Sequence, residues 1–182
     1  MKTESNVMYI IRLAATLLII TSLVAAALAG VNMLTEPQIR AAKEAKTQQA
    51  INAVLEGGGS EIPFTDDTGL VSKVYASEKG YAVQVSPSGF DGQISMMVGI
   101  DNEGKVTAIS IISHTETAGL GAVAAANTSA GEAFRNQFAG LSGELAVTKD
   151  GGQVDALTGA TITSRAVTRG VNAALACVEK LG

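Results

Sequence analysis

Cysteine is almost missing from this chain: Cys177 stands alone among 182 residues. No internal disulfide can form, and an iron–sulfur cluster, which wants about four thiolates, has no ligands here. His114 is likewise the only histidine, so a zinc site is not expected and no metal is assigned. Basic residues never cluster, and the formal net charge is −4 with a sequence pI near 5.0. That composition excludes nucleic acid as a partner, because phosphate backbones are bound by neutralising them with Lys and Arg. A protein of this kind that moves electrons needs an organic cofactor.

Charge is also missing from Leu13 to Leu34, "LAATLLIITSLVAAALAGVNML". At about 1.5 Å per residue such a run spans roughly the 30 Å hydrocarbon core of a bilayer, which makes it a transmembrane helix candidate. The competing reading is a cleaved secretory signal, since "ALA" at 27–29 fits a small-x-small cleavage pattern. The run is longer than a usual signal core and continues past that site, so a retained anchor is expected. No cysteine lies near the site, which excludes a lipoprotein. Lys2 and Arg12 precede the run, while Arg40, Lys43 and Lys46 follow it, so the positive-inside rule gives no vote on orientation.

What is present falls into segments. "TEPQ" at 35–38 reads as a helix start, with Thr35 as N-cap, Pro37 in the first turn and Gln38 closing a capping box. That helix runs to Gly57-Gly58-Gly59 and has the Ala, Lys, Gln and Glu content of an exposed stalk. The period then changes to two. "LVSKVYAS", "YAVQVS", "QISMMVGID" and "KVTAISIIS" read as four strands of an antiparallel sheet, separated by "EKG", "PSGFDG" and "DNEG". "SAGE" at 129–132 reads as a second capping box opening a short helix with Phe134, Phe138 and Leu141. "ELAVTK" and "QVDAL" look strand-like. A final amphipathic helix is expected from about Ser164 to Leu181, with Val167, Val171, Ala174, Leu175, Val178 and Leu181 on one face. Strands segregated from helices imply an α+β fold, an antiparallel sheet packed with helices. The expected organisation is an N-terminal tail (1–12), a transmembrane helix (13–34), a juxtamembrane stalk (35–58) and one folded domain (59–182).

Two stretches carry candidate site residues, and the first fits neither period. "SHTETAGLGAVAAANTS" at 113–129 carries His114, Glu116 and two glycines, Gly119 and Gly121, bracketing Leu120. Its glycines permit close backbone approach to a ligand, although an ordinary Gly/Ala-rich connection explains them too. His114 as a catalytic base lacks a cysteine nucleophile and a charge-relay partner, so no catalytic residue is assigned. "DALTGATITSRAVTRGVN" at 155–172 packs four hydroxyl side chains around Gly159 just ahead of the last helix. A Ser/Thr-rich helix N-cap, with Thr163 or Ser164 as the cap, accounts for part of it.

The segment 155–161, "DALTGAT", resembles the flavinylation motif Asp-x-x-Ser/Thr-Gly-Ala-Thr. Together with the N-terminal anchor, "GFDGQISMMVGIDNEGKV" at 89–106 and "HTETAGLG" at 114–121, it makes the whole chain similar to the G subunit of the Rnf ion-translocating electron transport complex. The C subunit of sodium-pumping NADH:quinone oxidoreductase is a related family. The resemblance implies FMN joined through its phosphate to Thr161, with Asp155, Thr158, Gly159 and Ala160 filling the motif. It also implies a separate flavin transferase that reads Asp155 as well as the acceptor. Ala118 stands where the family loop commonly has proline, which bears on the stiffness of that loop. Glu116, Thr117, Gly119, Leu120 and Gly121 are the candidate flavin surroundings, and Thr163 adds a hydroxyl. The attached phosphate would meet the positive end of the last helix. The implied role is an electron relay that turns over no substrate alone, inside a membrane complex linking ferredoxin oxidation and NAD reduction to ion pumping, with the flavin domain on the extracytoplasmic side. A membrane-anchored flavoprotein of another respiratory or reductase chain would share these motifs, and its co-purifying partners would distinguish it. A pilin-like protein would show a glutamate shortly inside its apolar helix, and no acidic residue lies between Ser5 and Thr35.

Overall fold

The computed structural model describes residues 3–181; Met1 and Lys2 of the expected N-terminal tail lie outside the described residues. The first helix, α1 (Thr3–Val54), is continuous. No new helix starts at Thr35. Its Oγ1 donates back to Val31 O at 2.9 Å, as a mid-helix threonine does, and Pro37 lies inside the helix. The expected capping box is therefore replaced by uninterrupted helix. One stretch of this helix is long and apolar enough to cross a membrane.

Two compact units divide the chain, residues 1–45 and residues 46–182. In the second, strands β1 (Ser60–Ile62), β2 (Val71–Ser77), β3 (Gly80–Val85), β4 (Ser95–Asp101) and β5 (Val106–Ser113) form one antiparallel meander in the order β1-β2-β3-β4-β5. The four strands expected of the sheet are present as β2 to β5, and the short β1 is added at the edge, pairing Glu61 with Tyr75. Helices α2 (Ser129–Asn136) and α3 (Thr161–Glu179) complete the α+β fold.

Both faces of the sheet are covered. On one, Val83, Val85, Met96, Val98 and Ile100 join Phe134, Phe138, Val167, Val171, Ala174 and Val178 in the main core. Helix α3 approaches closely because residue 170 is glycine: a Cβ there would stand 2.6 Å from Met96 Cε. Phe134 and Phe138 meet edge to face with ring centroids 5.6 Å apart. On the other face, Ala50, Ile51, Val54 and Leu55 at the end of α1 pack on Ala82 and Met97. Thr107 Oγ1 donates to Val54 O at 2.8 Å and secures that helix end to β5. These last turns of α1 are thus part of the folded unit, whereas their composition suggested an exposed stalk.

Two other elements depart from expectation. Helix α2 is capped one residue earlier than read, by Thr128, whose Oγ1 accepts from Gly131 N. "ELAVTK" and "QVDAL" are not strands. They meet only in a single parallel bridge, Val147 with Val154, around a 3-10 turn over Thr148–Asp150. Leu145, Val147 and Val154 are buried as their alternation suggested, but Asn172 supplies the pairing a neighbouring strand would give. Its side chain accepts from Leu145 N at 2.9 Å and donates to Leu145 O at 2.8 Å.

Candidate functional site

Helix α3 begins earlier than its apolar pattern suggested, and this changes what each nearby hydroxyl does. Gly159 takes φ +74°, a left-handed turn that favours glycine, and Ala160 N donates to Leu157 O at 3.0 Å. Ala160 is then the N-cap and brings no side-chain oxygen to the first-turn N–H groups, which stay uncapped. Thr161 is the first helical residue. Neither Thr163 nor Ser164 caps the helix, contrary to expectation. Ser164 Oγ accepts from Leu157 N at 3.0 Å and donates to Ala160 O, fixing the turn ahead of the helix. Thr163 Oγ1 donates to Glu116 Oε2.

Glu116 is the buried knot of this region. Its Oε1 accepts from Phe90 N at 2.9 Å and Asp91 N at 3.1 Å, while Oε2 takes the Thr163 hydroxyl. One carboxylate thereby joins the loop after β3, its own loop after β5 and the start of α3. Room for it comes from two glycines: a Cβ on Gly89 would stand 2.3 Å from Oε1, and one on Gly121 2.5 Å from Oε2. The loop after β3 is held further by Arg169, which donates to Ser88 O at 2.8 Å, and by Thr115 Oγ1, which donates to Asp91 O at 2.7 Å.

These three segments and the 3-10 turn enclose a cavity of about 300 Å³ lined by Phe90, Glu116, Thr117, Leu120, Gly121, Lys149 and residues 159–163. That is the lower end of the size range for small-molecule sites. Phe90, Leu120 and Ile162 are 66%, 45% and 50% exposed, and within described residues 46–181 no other large hydrophobic side chain is exposed. All three line the cavity, so the uncovered apolar surface of this unit is gathered at one mouth. Inside, Lys149 Nζ donates to Thr161 Oγ1 at 3.0 Å. Asp150 next to it is taken by Arg165 in a two-pronged pair, Nε to Oδ2 at 2.7 Å and Nη2 to Oδ1 at 2.6 Å. The Arg165 hydrogen bond and charge hold the Asp150 carboxyl below its ordinary value, and Asp150 in turn raises Arg165.

Of the residues singled out from sequence, Thr161, Gly159, Ala160, Thr163, Glu116, Thr117, Leu120 and Gly121 converge on the cavity. Gly119 shapes the loop at φ +76° without lining it, and Thr158 is exposed and also outside the lining. Asp155 stays outside as well. It is exposed, and its backbone N–H and C=O are held by Gln137 at 2.7 and 3.2 Å. His114 does not reach the cavity, and its Nδ1 is buried without a hydrogen-bond partner. Sequence reasoning missed Lys149, Phe90 and Ile162. Phe90 had a signal, an aromatic residue in the turn "PSGFDG", and Ile162 lies off the apolar face of α3.

Comparison with known proteins adds a family. Residues 89–176, which include every cavity-lining residue, match the FMN-binding domain. The chain is 42% identical over 110 residues to the G subunit of the proton-translocating ferredoxin:NAD(+) oxidoreductase complex of Clostridium ljungdahlii, covering 56% of this chain and 57% of that protein. It is 30% identical over 173 residues to the G subunit of the ion-translocating oxidoreductase complex of Methanosarcina acetivorans, covering 88% of this chain and 89% of the relative. With the G subunit of the Na(+)-translocating ferredoxin:NAD(+) oxidoreductase complex of Acetobacterium woodii it shares 35% identity over 146 residues, 76% of this chain and 68% of that one.

Proposed function

Because the chain belongs to the family of G subunits of ion-translocating oxidoreductase complexes, we propose that it is a membrane-anchored electron-transfer subunit of such a complex, carrying FMN joined through its phosphate to Thr161. The observation that carries the reading is the position of the Thr161 hydroxyl. It lies in a small cavity with an apolar mouth, beside a lysine ammonium and uncapped helix N–H groups, inside the stretch that matches the FMN-binding domain.

The residues present fit such a group. A flavin has an anionic end and a broad apolar ring, and the cavity offers both environments: Lys149 with the first turn of α3 at one, Phe90, Leu120 and Ile162 at the other. When bound, FMN supplies the redox chemistry, and the protein supplies position and surroundings. Thr161 tethers, Gly159 keeps bulk away from the acceptor, and the Glu116 knot keeps the cavity walls in register. A relay of this kind turns over no substrate alone. By analogy with relatives named for ferredoxin:NAD(+) oxidoreductase complexes, its electrons pass between other subunits of a complex that moves ions.

Residues 13–34 are the membrane anchor in this reading, residues 35–45 lead from it, and the folded unit that begins at residue 46 lies on the extracytoplasmic side. There a covalent link keeps the flavin from diffusing away. A separate flavin transferase makes the link, and exposed Asp155, outside the cavity, is available for it to read. Co-expression with a transferase tests the acceptor. Thr161→Val removes the oxygen but keeps the branched shape, so in-gel flavin fluorescence should vanish while the thermal melt stays near wild type. Fluorescence of wild-type strength in this variant would assign the link to another hydroxyl.

A further inference from the structure

Lys149 is a cation without a carboxylate partner among the described residues, set on a rigid support. The turn that carries it is closed by Thr148 N to Val154 O at 2.8 Å and Gly152 N to Val147 O at 3.1 Å, with Val147 and Val154 fully buried beneath it. Gly152 is essential to that closure, since a Cβ would stand 2.0 Å from Ala146 O. The neighbouring carboxylate of Asp150 does not neutralise the lysine, because Arg165 occupies both its oxygens and ties the turn to α3. What the ammonium does reach is Thr161 Oγ1, at 3.0 Å, across the cavity it helps to line.

We propose that Lys149 is the phosphate-positioning residue of this site: it orients the Thr161 oxygen for esterification by a flavin dinucleotide and afterwards serves as counter-ion to the phosphodiester. The inference rests on Thr161 being the flavin acceptor. By donating to Oγ1, the ammonium occupies one lone pair and holds the hydroxyl in the cavity, leaving the other lone pair and the hydroxyl proton free. In the transfer, Oγ1 forms a bond to the flavin-side phosphorus of the dinucleotide, and the bond from that phosphorus to the bridging oxygen breaks. The nucleoside monophosphate leaves with the bridging oxygen, and the hydroxyl proton passes to the transferase or to water. No electrons are exchanged. Negative charge gathers on the phosphoryl oxygens next to Nζ, where a preorganised cation lowers the barrier. The Asp150–Arg165 pair ties the turn that carries that cation to α3.

The test uses the full-length chain in detergent, freed of flavin by expression without a transferase, then incubated with purified transferase, flavin adenine dinucleotide and magnesium. Wild type, Lys149→Met and Lys149→Arg are compared by initial labelling rate against protein concentration. Lys149→Met should lose about tenfold or more in kcat, as expected when a charge-assisted hydrogen bond to the reacting group is removed, with KM for the protein little changed. Lys149→Arg should recover much of the loss, and the melting temperature should hold because the residue is exposed. A Lys149→Met rate equal to wild type, a change in KM alone, or equal loss in both variants overturns the proposal. Failure of wild type to label at Thr161 would instead overturn the acceptor assignment, so the two ideas fail separately.

Discussion

Glu116 shows how much one side chain decides at the residue scale. Three donors from two other segments converge on a buried carboxylate, and hydrogen bonds to a charged group contribute about 1.5–3 kcal/mol each when nothing replaces them. Because water can replace part of what the three donors lose, Glu116→Ala should lower unfolding free energy by at least about 3 kcal/mol in a denaturant titration, and Glu116→Gln, which keeps one acceptor oxygen, by clearly less. An alanine variant within about 0.5 kcal/mol of wild type would mean the knot is dispensable, that being the usual range for uninvolved surface positions. The sequence drew attention to Glu116 through its loop, as a candidate contact to the cofactor, but could not tell that protein donors already use its oxygens. The same limit applied to Thr163 and Ser164. A cap can be assigned only once the first helical residue is known, and here the left-handed Gly159 moved that residue back to Thr161.

At the scale of elements, the turn 148–150 is tied to α3 by the Asp150–Arg165 pair. The folded Asp150 carboxyl sits below its ordinary value of 3.8, through the hydrogen bond and charge of Arg165. A carboxyl lowered on folding contributes stability that is present above its unfolded value and is lost as pH falls through the lower folded value. The brace should thus be intact at neutral pH and dissolve only in acid, below 3.8. A carboxyl carbon shift titration of Asp150 should give a midpoint under that value, and a midpoint at or above it would show that the pair does not form in solution. Neither the turn nor the pair was legible beforehand. The alternation in "ELAVTK" reported burial correctly, but Gly151 at φ +86° and Gly152 against Ala146 turn the chain before a second strand can pair. The four regular strands and the apolar face of α3 were legible because each had a period and a burying surface that agreed.

Across the whole molecule, the sheet is finished by a helix that composition assigned to a stalk. Ile51, Val54 and Leu55 are each buried against the face bearing Ala82 and Met97. Ala, Lys and Gln between them diluted the apolar signal, and only contact with the sheet gives it meaning. A chain beginning at residue 46 should fold, whereas one beginning at 59 should be destabilised by on the order of 5 kcal/mol, the loss expected from uncovering three such side chains and their partners. Equal melting temperatures for the two truncations would contradict this packing. In the proposed function the folded unit holds one flavin, linked covalently at Thr161. Intact mass spectrometry of the protein purified from its native membrane, followed by peptide fragmentation, tests it most directly. The expected result is a single mass increase of one FMN less one water, located on the peptide containing Thr161. A native protein of unmodified mass, or an adduct on any other residue, would contradict it.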